Sequence, residues 1–273
     1  MSPRATTKHL SLPFFEPQHL EIGNCLADWL PKQHIDDSDD RSACKAWVKL
    51  LGANQWLKYC VPASSGGAFE SIDSRALVIL RENLAFHSAL GDFAFAMQGL
   101  GSGAISLAGS AELQKNYLPQ VARGEKIAAF ALSEPDAGSD VAAMNTIALR
   151  AYFMPGSSPF GYKINGQKTW ISNGGMADFY CVFAKTDMQA GSRGISAFVV
   201  DAGTKGLDDS EHIQVMAPHP LASLTFTHCE ISANHMLGEE NAGFKLAMAT
   251  LDIFRPSVAA AALGFARRAL HEA

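Results

Sequence analysis

Phe130-Ala-Leu-Ser-Glu-Pro-Asp-Ala-Gly-Ser-Asp140, read together with Asn165-Gly-Gln-Lys-Thr-Trp-Ile-Ser-Asn-Gly-Gly175, decides how the chain is understood. The first stretch runs from an apolar strand into a turn that supplies a hydroxyl (Ser133), a residue without a side chain (Gly138) and a second hydroxyl (Ser139). The second follows a tight Asn165-Gly166 turn with a strand that carries a large flat ring, Trp170, and another hydroxyl, Ser172. An aromatic wall, short hydroxyls and free backbone amides suit a flat, polar-edged ring with a phosphate tail.

Outward from these stretches the pattern changes twice. Residues 14 to 120 read as helical. An apolar face from Phe15 to Leu30 ends at Pro31, and a second helix spans 43 to 57. A long helical region is expected from 74 to about 97, with Leu77, Leu80, Leu84 and His87 at helical spacing. His87 reads as a hydrogen-bonded core histidine, and the acidic run at 36 to 40 as a solvated loop and helix start. Gly99, Gly101 and Gly103 follow no strand and complete no phosphate-loop pattern, so close helix packing, or room for a ligand chain, accounts for them. Another helix is expected at 110 to 118, before Pro119.

At Ile127 the period becomes alternating. Strand-like runs at 127–132, 146–152, 161–164, 179–183, 194–200 and 223–228 are separated by Gly, Asn, Asp or Pro, and residues 154–159 read as a surface loop. This predicts a compact antiparallel β domain. From Asn241 the helical period returns through Leu251, Phe254, Val258, Ala261, Phe265 and Ala269, with Pro256 kinking the helix or opening a new one. The fold class is therefore α+β. A helical domain over 1–126 precedes a β domain over 127–240, and 241–273 begins a further helical bundle.

Composition excludes several classes of function. With 48% hydrophobic and 18% charged residues the chain is ordinary for a globular enzyme, and its net charge of −5 offers no basic stripe for nucleic acid or an anionic membrane. No run of about eighteen apolar residues is present, so no membrane span is expected. The nine histidines form no metal-ligand spacing, and no metal is expected. The five cysteines are odd in number and widely spaced, which points to buried, reduced thiols and a cytoplasmic location.

The two opening stretches resemble the signatures of the acyl-CoA dehydrogenase family. Residues 131–140 match small–aliphatic–Ser/Thr–Glu–two variable–small–Gly–Ser/Thr–Asp, and 165–173 match Asn-Gly-x-Lys-x-Trp-Ile-Ser/Thr-Asn. The resemblance covers roughly residues 10 to 273 and implies a helical domain, a β domain and a C-terminal four-helix bundle of which only the first helix is present. It implies FAD as cofactor, held by Phe130, Leu132, Ser133, Gly138, Ser139, Trp170, Ile171 and Ser172, with the Ser172 hydroxyl directed at flavin N5. It implies that Ser139, Asp252, Ile253, Phe254 and Arg255 meet the acyl-CoA substrate, an electron-transfer flavoprotein or similar acceptor as partner, and a homotetramer.

A glutamate base is the family's remaining requirement. Most members carry it beyond the point corresponding to Ala273, and some carry it just before the arginine matching Arg255, where this chain has Phe254. The expectation is a truncated acyl-CoA dehydrogenase without its base, retaining FAD weakly or not at all. An oxygen-using flavoenzyme of the same fold, or a non-catalytic acyl-CoA-binding or assembly subunit, is the alternative. The loop 218–224 lacks the family's usual arginine, and Phe93, Phe95, Met97 and Leu100 with Phe254 are expected to line the acyl pocket.

Overall fold

The computed structural model describes residues 3–152 and 160–273; the expected loop at 154–159 lies outside them. Five helices come first: α1 (Pro17–Trp29), α2 (Asp40–Ala53), α3 (Ser74–His87), α4 (Ala89–Ala108) and α5 (Ala111–Ala122). Their starts are set by side-chain caps. Asp39 accepts from the Ser42 amide, Asp73 from those of Arg75 and Ala76, and Ser110 from that of Leu113. Such caps stabilise by about 1 kcal/mol each. The long helical region expected over 74–97 is made of two helices, because the backbone of Ser88 is extended and its hydroxyl takes the Gly91 amide. Serine here ends one helix and starts the next. Pro119 lies inside α5 rather than after it.

The glycines of α4 serve packing, as expected. A Cβ on Gly101 would stand 2.7 Å from Ala128, and one on Gly99 would stand 2.5 Å from the Phe254 ring. The helix can therefore lie directly on the first strand and on the last helix. His87 is half-buried, with Nε2 3.3 Å from the Gln33 carbonyl. Four cysteines are buried, while Cys25 is exposed, contrary to expectation; all five are free thiols.

Among the described residues eight strands form one sheet: β1 (Ala128–Ala131), β2 (Ile147–Ala151), β3 (Gly161–Ser172), β4 (Phe179–Lys185), β5 (Ile195–Asp201), β6 (Leu207–Ile213), β7 (Leu221–Ser232) and β8 (Met236–Leu237). The order is β6-β7-β3-β2-β4-β5-β8, with β1 paired to β4. Most pairs are antiparallel, but β1 runs parallel to β4, and β2 meets β4 in parallel at Ile147 and Lys185. The sheet is thus mixed where a purely antiparallel one was expected. The Asn165-Gly166 turn is a bulge within the continuous strand β3, not a reversal. Gly166 has φ +142°, and a Cβ there would strike Thr146. β6 escaped the sequence reading because Asp208, Ser210, Glu211 and His212 leave it polar and largely exposed.

The last helix, α6 (Gly243–Glu272), runs through Pro256 without a break. One face, including Ala247, Thr250, Phe254, Ser257 and Gly264, is buried, and the helix packs on α3, α4 and β5. The apolar face expected from 251 to 269 is split, since Val258 and Phe265 are exposed. By length and composition alone α6 could cross a membrane, but its packed face is already taken up by this domain. Beneath it a buried bidentate pair joins α3 to α4: Arg81 Nε and Nη2 donate to the two oxygens of Asp92 at 2.8 and 2.7 Å. Arg81 Nη1 also reaches the Ser257 hydroxyl of α6 at 3.2 Å. The Arg81 guanidinium does not fully offset burial, which raises the Asp92 carboxyl.

Candidate functional site

β1 pairs with β4 off the main strand order, and the chain leaves its end as a tight turn closed by reciprocal hydrogen bonds between the backbones of Glu134 and Ala137. Three contacts fasten this turn to the second half of β3. The Thr169 amide donates to the Ser133 carbonyl at 3.0 Å, and Lys168 Nζ donates to the Leu132 carbonyl at 3.0 Å and to the Glu134 carboxylate at 2.7 Å. Lys168 is wholly buried and Glu134 nearly so. Glu134 also accepts from the amides of Asn145 and Thr146. Burial opposes its charge, but Lys168 and these donors hold its carboxyl below the usual value. Burial draws the Lys168 ammonium down to about 8 against the pull of Glu134. At neutral pH the two remain an ion pair, and the two signature stretches are locked side by side.

A second irregularity in β3, between Lys168 and Ile171, puts Trp170 at φ +58° and turns its indole outward, 59% exposed. Beyond it Asn173, at φ +62° and fully buried, donates to the Ala128 carbonyl and accepts from the Cys44 thiol. Asparagine tolerates this left-handed backbone better than most residues. Arg41 of α2 donates to the Gly174 and Leu221 carbonyls, both at 2.7 Å. The end of β3 is therefore pinned to the helical layer.

The result is a cavity of about 400 Å³ between the two stretches and α6. Phe130, Leu132, Ser133, Gly138, Ser139, Trp170 and Ile171 line it from the sheet side, and Phe244, Met248, Leu251 and Arg255 from α6. Seven of the eight cofactor residues expected from sequence thus converge. Ser172 is the exception: it does not line the cavity, and its hydroxyl is 3.0 Å from His219 Nε2. Three other hollows of similar size, about 450 Å³ near Asp37–Arg41, about 460 Å³ near Lys58 and Arg123 and about 380 Å³ near Phe86 and Arg267, contain none of these residues.

The expected substrate residues separate. Ser139 and Arg255 reach the cavity; Asp252 is exposed and paired with Arg255 at 2.8 Å. Ile253 is half-buried with its carbonyl accepting from Ser74, and Phe254 is buried against Gly99 and Gly103. Successive helical residues point about 100° apart, so four in a row cannot share one ligand. Of the residues expected to line the acyl pocket, Phe93, Phe95 and Phe254 are buried in the core, Met97 and Leu100 pack against it, and none borders this cavity. The lining residues that sequence reading missed include Val141 and Ala142, just past the first stretch, and Phe244 and Met248, which continue to Leu251 and Arg255 at helical spacing, a signal that was available.

The chemistry of this lining fits a flavin ring. It has an aromatic wall at Trp170, an apolar floor, two hydroxyls at the edge and a glycine with no neighbour within 4 Å of its missing side chain. Comparison with known proteins agrees with this. The family model described as acyl-CoA dehydrogenase, N-terminal domain, matches residues 26–125, and that described as acyl-CoA dehydrogenase, middle domain, matches residues 129–229. A 3-(aryl)acrylate reductase of Clostridium sporogenes is 35% identical over 267 residues, which cover 95% of this chain and 68% of that protein. A probable acyl-CoA dehydrogenase of Mycobacterium leprae is 36% identical over 243 residues, covering 88% of this chain and 60% of that protein. Among solved structures, an acyl-CoA dehydrogenase complexed with FAD from Bacillus anthracis superposes with a TM-score of 0.80 at 27% identity, over 96% of this chain and 43% of that one. The chain spans about 60% of the length of the Mycobacterium leprae relative.

Proposed function

The chain belongs to the acyl-CoA dehydrogenase family, and from that premise we propose that it binds FAD against residues 130–139 and 170–172, for the α,β-dehydrogenation of an acyl-CoA thioester to the trans-2-enoyl-CoA. The observation that carries this reading is the shared cavity: two signature stretches, tied by Lys168 and Glu134, line one hollow that α6 closes. Bound FAD supplies the hydride acceptor. Trp170 and Phe130 give the flat walls, the Ser133 and Ser139 hydroxyls address polar ring edges, and Phe244, Met248 and Leu251 keep water from that side. Arg255 brings a guanidinium to the cavity, suited to an anionic or carbonyl group of the CoA portion.

Phe254 has no proton-accepting group and is buried, so the glutamate base is proposed to come from outside residues 1–273. The same reading extends to an electron-transfer flavoprotein as acceptor, a homotetramer in the complete protein and a cytoplasmic location, which five unbridged cysteines suit. Phe254 also favours a second reading, an acyl-CoA-binding or assembly subunit that does no chemistry.

Titrating FAD into the purified chain tests the first requirement. Saturable quenching of flavin fluorescence that is lost in Trp170→Ala, with the fold retained by circular dichroism, supports the reading; absence of quenching by folded protein even after the family's bundle helices are supplied in trans sinks it. Adding an acyl-CoA to the loaded chain, and assaying α,β-dehydrogenation after supplying the family's bundle helices in trans, separates the two readings. Binding without any turnover favours the second.

A further inference from the structure

A hollow of about 460 Å³, sharing no residue with the flavin cavity, opens where the ends of α2 and α5 meet two short turns, Trp56–Cys60 and Ala63–Ser65. The helix ends touch at Gly52, where a Cβ would stand 2.2 Å from the Arg123 carbonyl, and this brings Arg123 to the same hollow as Lys58. Lys58 makes no ion pair among the described residues; its Nζ lies 5.5 Å from the centroid of the Tyr59 ring. Ser65 lines the hollow too and is 5% exposed, yet its hydroxyl takes part in no hydrogen bond among the described residues. Unlike the Ser106 hydroxyl it is not sealed off, so the access left to it is through the hollow. A buried hydroxyl without a partner costs free energy unless something outside the fold supplies one. The helix ends do not consume the two cations: backbone amides of residues 54, 55, 124 and 125 close the carbonyls of Leu50, Gly52, Val121 and Gln120.

We propose that this hollow is a second ligand site, for a small phosphomonoester whose phosphate sits among Lys58, Arg123, Ser64 and Ser65. The chain carries a net charge of −5, so its surface as a whole does not draw anions, and the attraction is local to this spot. A phosphate dianion accepts from the ammonium, the guanidinium and both hydroxyls at once. At present the guanidinium is engaged by Glu125, with Arg123 Nε and Nη2 donating to its two oxygens at 2.8 and 2.7 Å. That pair joins exposed side chains two residues apart and is weak, so Glu125 acts as an internal competitor that a better acceptor displaces. The volume is that of a small-molecule site and exceeds what a phosphate group fills. Pro119 and Ala122 supply apolar lining for the carbon part of the ligand.

The test titrates the purified chain with ribose 5-phosphate and, separately, with inorganic phosphate, at an ionic strength held constant with sodium chloride. Backbone amide and arginine Nε signals are followed by NMR. Saturable shifts are expected at Ser64, Ser65 and Arg123 Nε, with ribose 5-phosphate bound at least about threefold tighter than inorganic phosphate through its apolar contacts. Lys58→Met breaks no ion pair and should keep the native unfolding midpoint, yet weaken binding about ten- to hundredfold, the weight of a hydrogen bond to a charged group. Ser65→Ala should weaken it about three- to tenfold. Glu125→Gln removes the competitor and should tighten binding about two- to fivefold, whereas Glu112→Gln, which removes the same charge at the other end of α5, should not. Absence of saturation, or unchanged affinity in Lys58→Met, overturns the proposal. Equal tightening by the two glutamate variants, or inorganic phosphate bound as tightly as ribose 5-phosphate, overturns it as well. None of these readouts involves flavin, so the FAD reading stands or falls separately.

Discussion

Lys168 Nζ lies 2.7 Å from the Glu134 carboxylate with both side chains out of water, so each of the two signature stretches supplies the counter-ion that the other needs. Removing one partner strands a buried charge, which typically costs about 3–5 kcal/mol. Lys168→Met or Glu134→Leu should each lower stability by about that amount in urea unfolding. The double variant should recover most of it, a coupling that a double-mutant cycle reads directly.

The same pair sets an acid limit. Glu134 has a folded value below its ordinary 4.5, so its contribution is fully present above that pH and is lost as the pH falls through the lower folded value. Thermal midpoints between pH 3 and 6 should fall more steeply in the native chain than in Glu134→Gln. Parallel curves would show that the carboxylate is not responsible.

The Phe254 ring fits into the notch that Gly99 leaves in α4. A methyl at Gly99 would meet the ring at 2.5 Å, so Gly99→Ala should destabilise by about 1–3 kcal/mol, the range for overpacking. Adding Phe254→Leu should relieve part of this. Phe254→Glu, which restores a carboxylate where some family members carry one, should instead unfold or loosen α6, because the position is buried among apolar groups.

Trp170 offers the opposite balance. Its indole is mostly exposed and its φ is +58°, a conformation that glycine adopts freely. Trp170→Gly should leave the unfolding midpoint within about 1 kcal/mol of native. FAD affinity should drop at least about tenfold, since a lost aromatic stacking wall is worth about 1–3 kcal/mol.

What could be read from sequence follows from how local each signal is. The two signatures, the caps at Asp39 and Asp73 and the helix–sheet–helix order are short-range patterns, and the cofactor residues they named converge on one cavity apart from Ser172. The misreadings lie where a distant contact decides. Asn165-Gly166 has the composition of a reversal, yet strand β7 pairs along both sides of it and makes it a bulge. Phe254 sits beside Arg255 in sequence, but the helix turns it toward the glycines of α4. The burial of Lys168 depends on Glu134, thirty-four residues earlier in the chain. His219 could not be matched to Ser172 because no spacing rule connects a loop to a strand forty-seven residues earlier.

The helix α6 is a wall of the cavity and, on its other flank, a packing partner of α3, α4 and β5. Whatever occupies the hollow presses on a beam whose far side props up the helical layer. Occupancy there should therefore be felt at a distance: amides of α3, which touch no ligand, should exchange with deuterium more slowly once the hollow is filled.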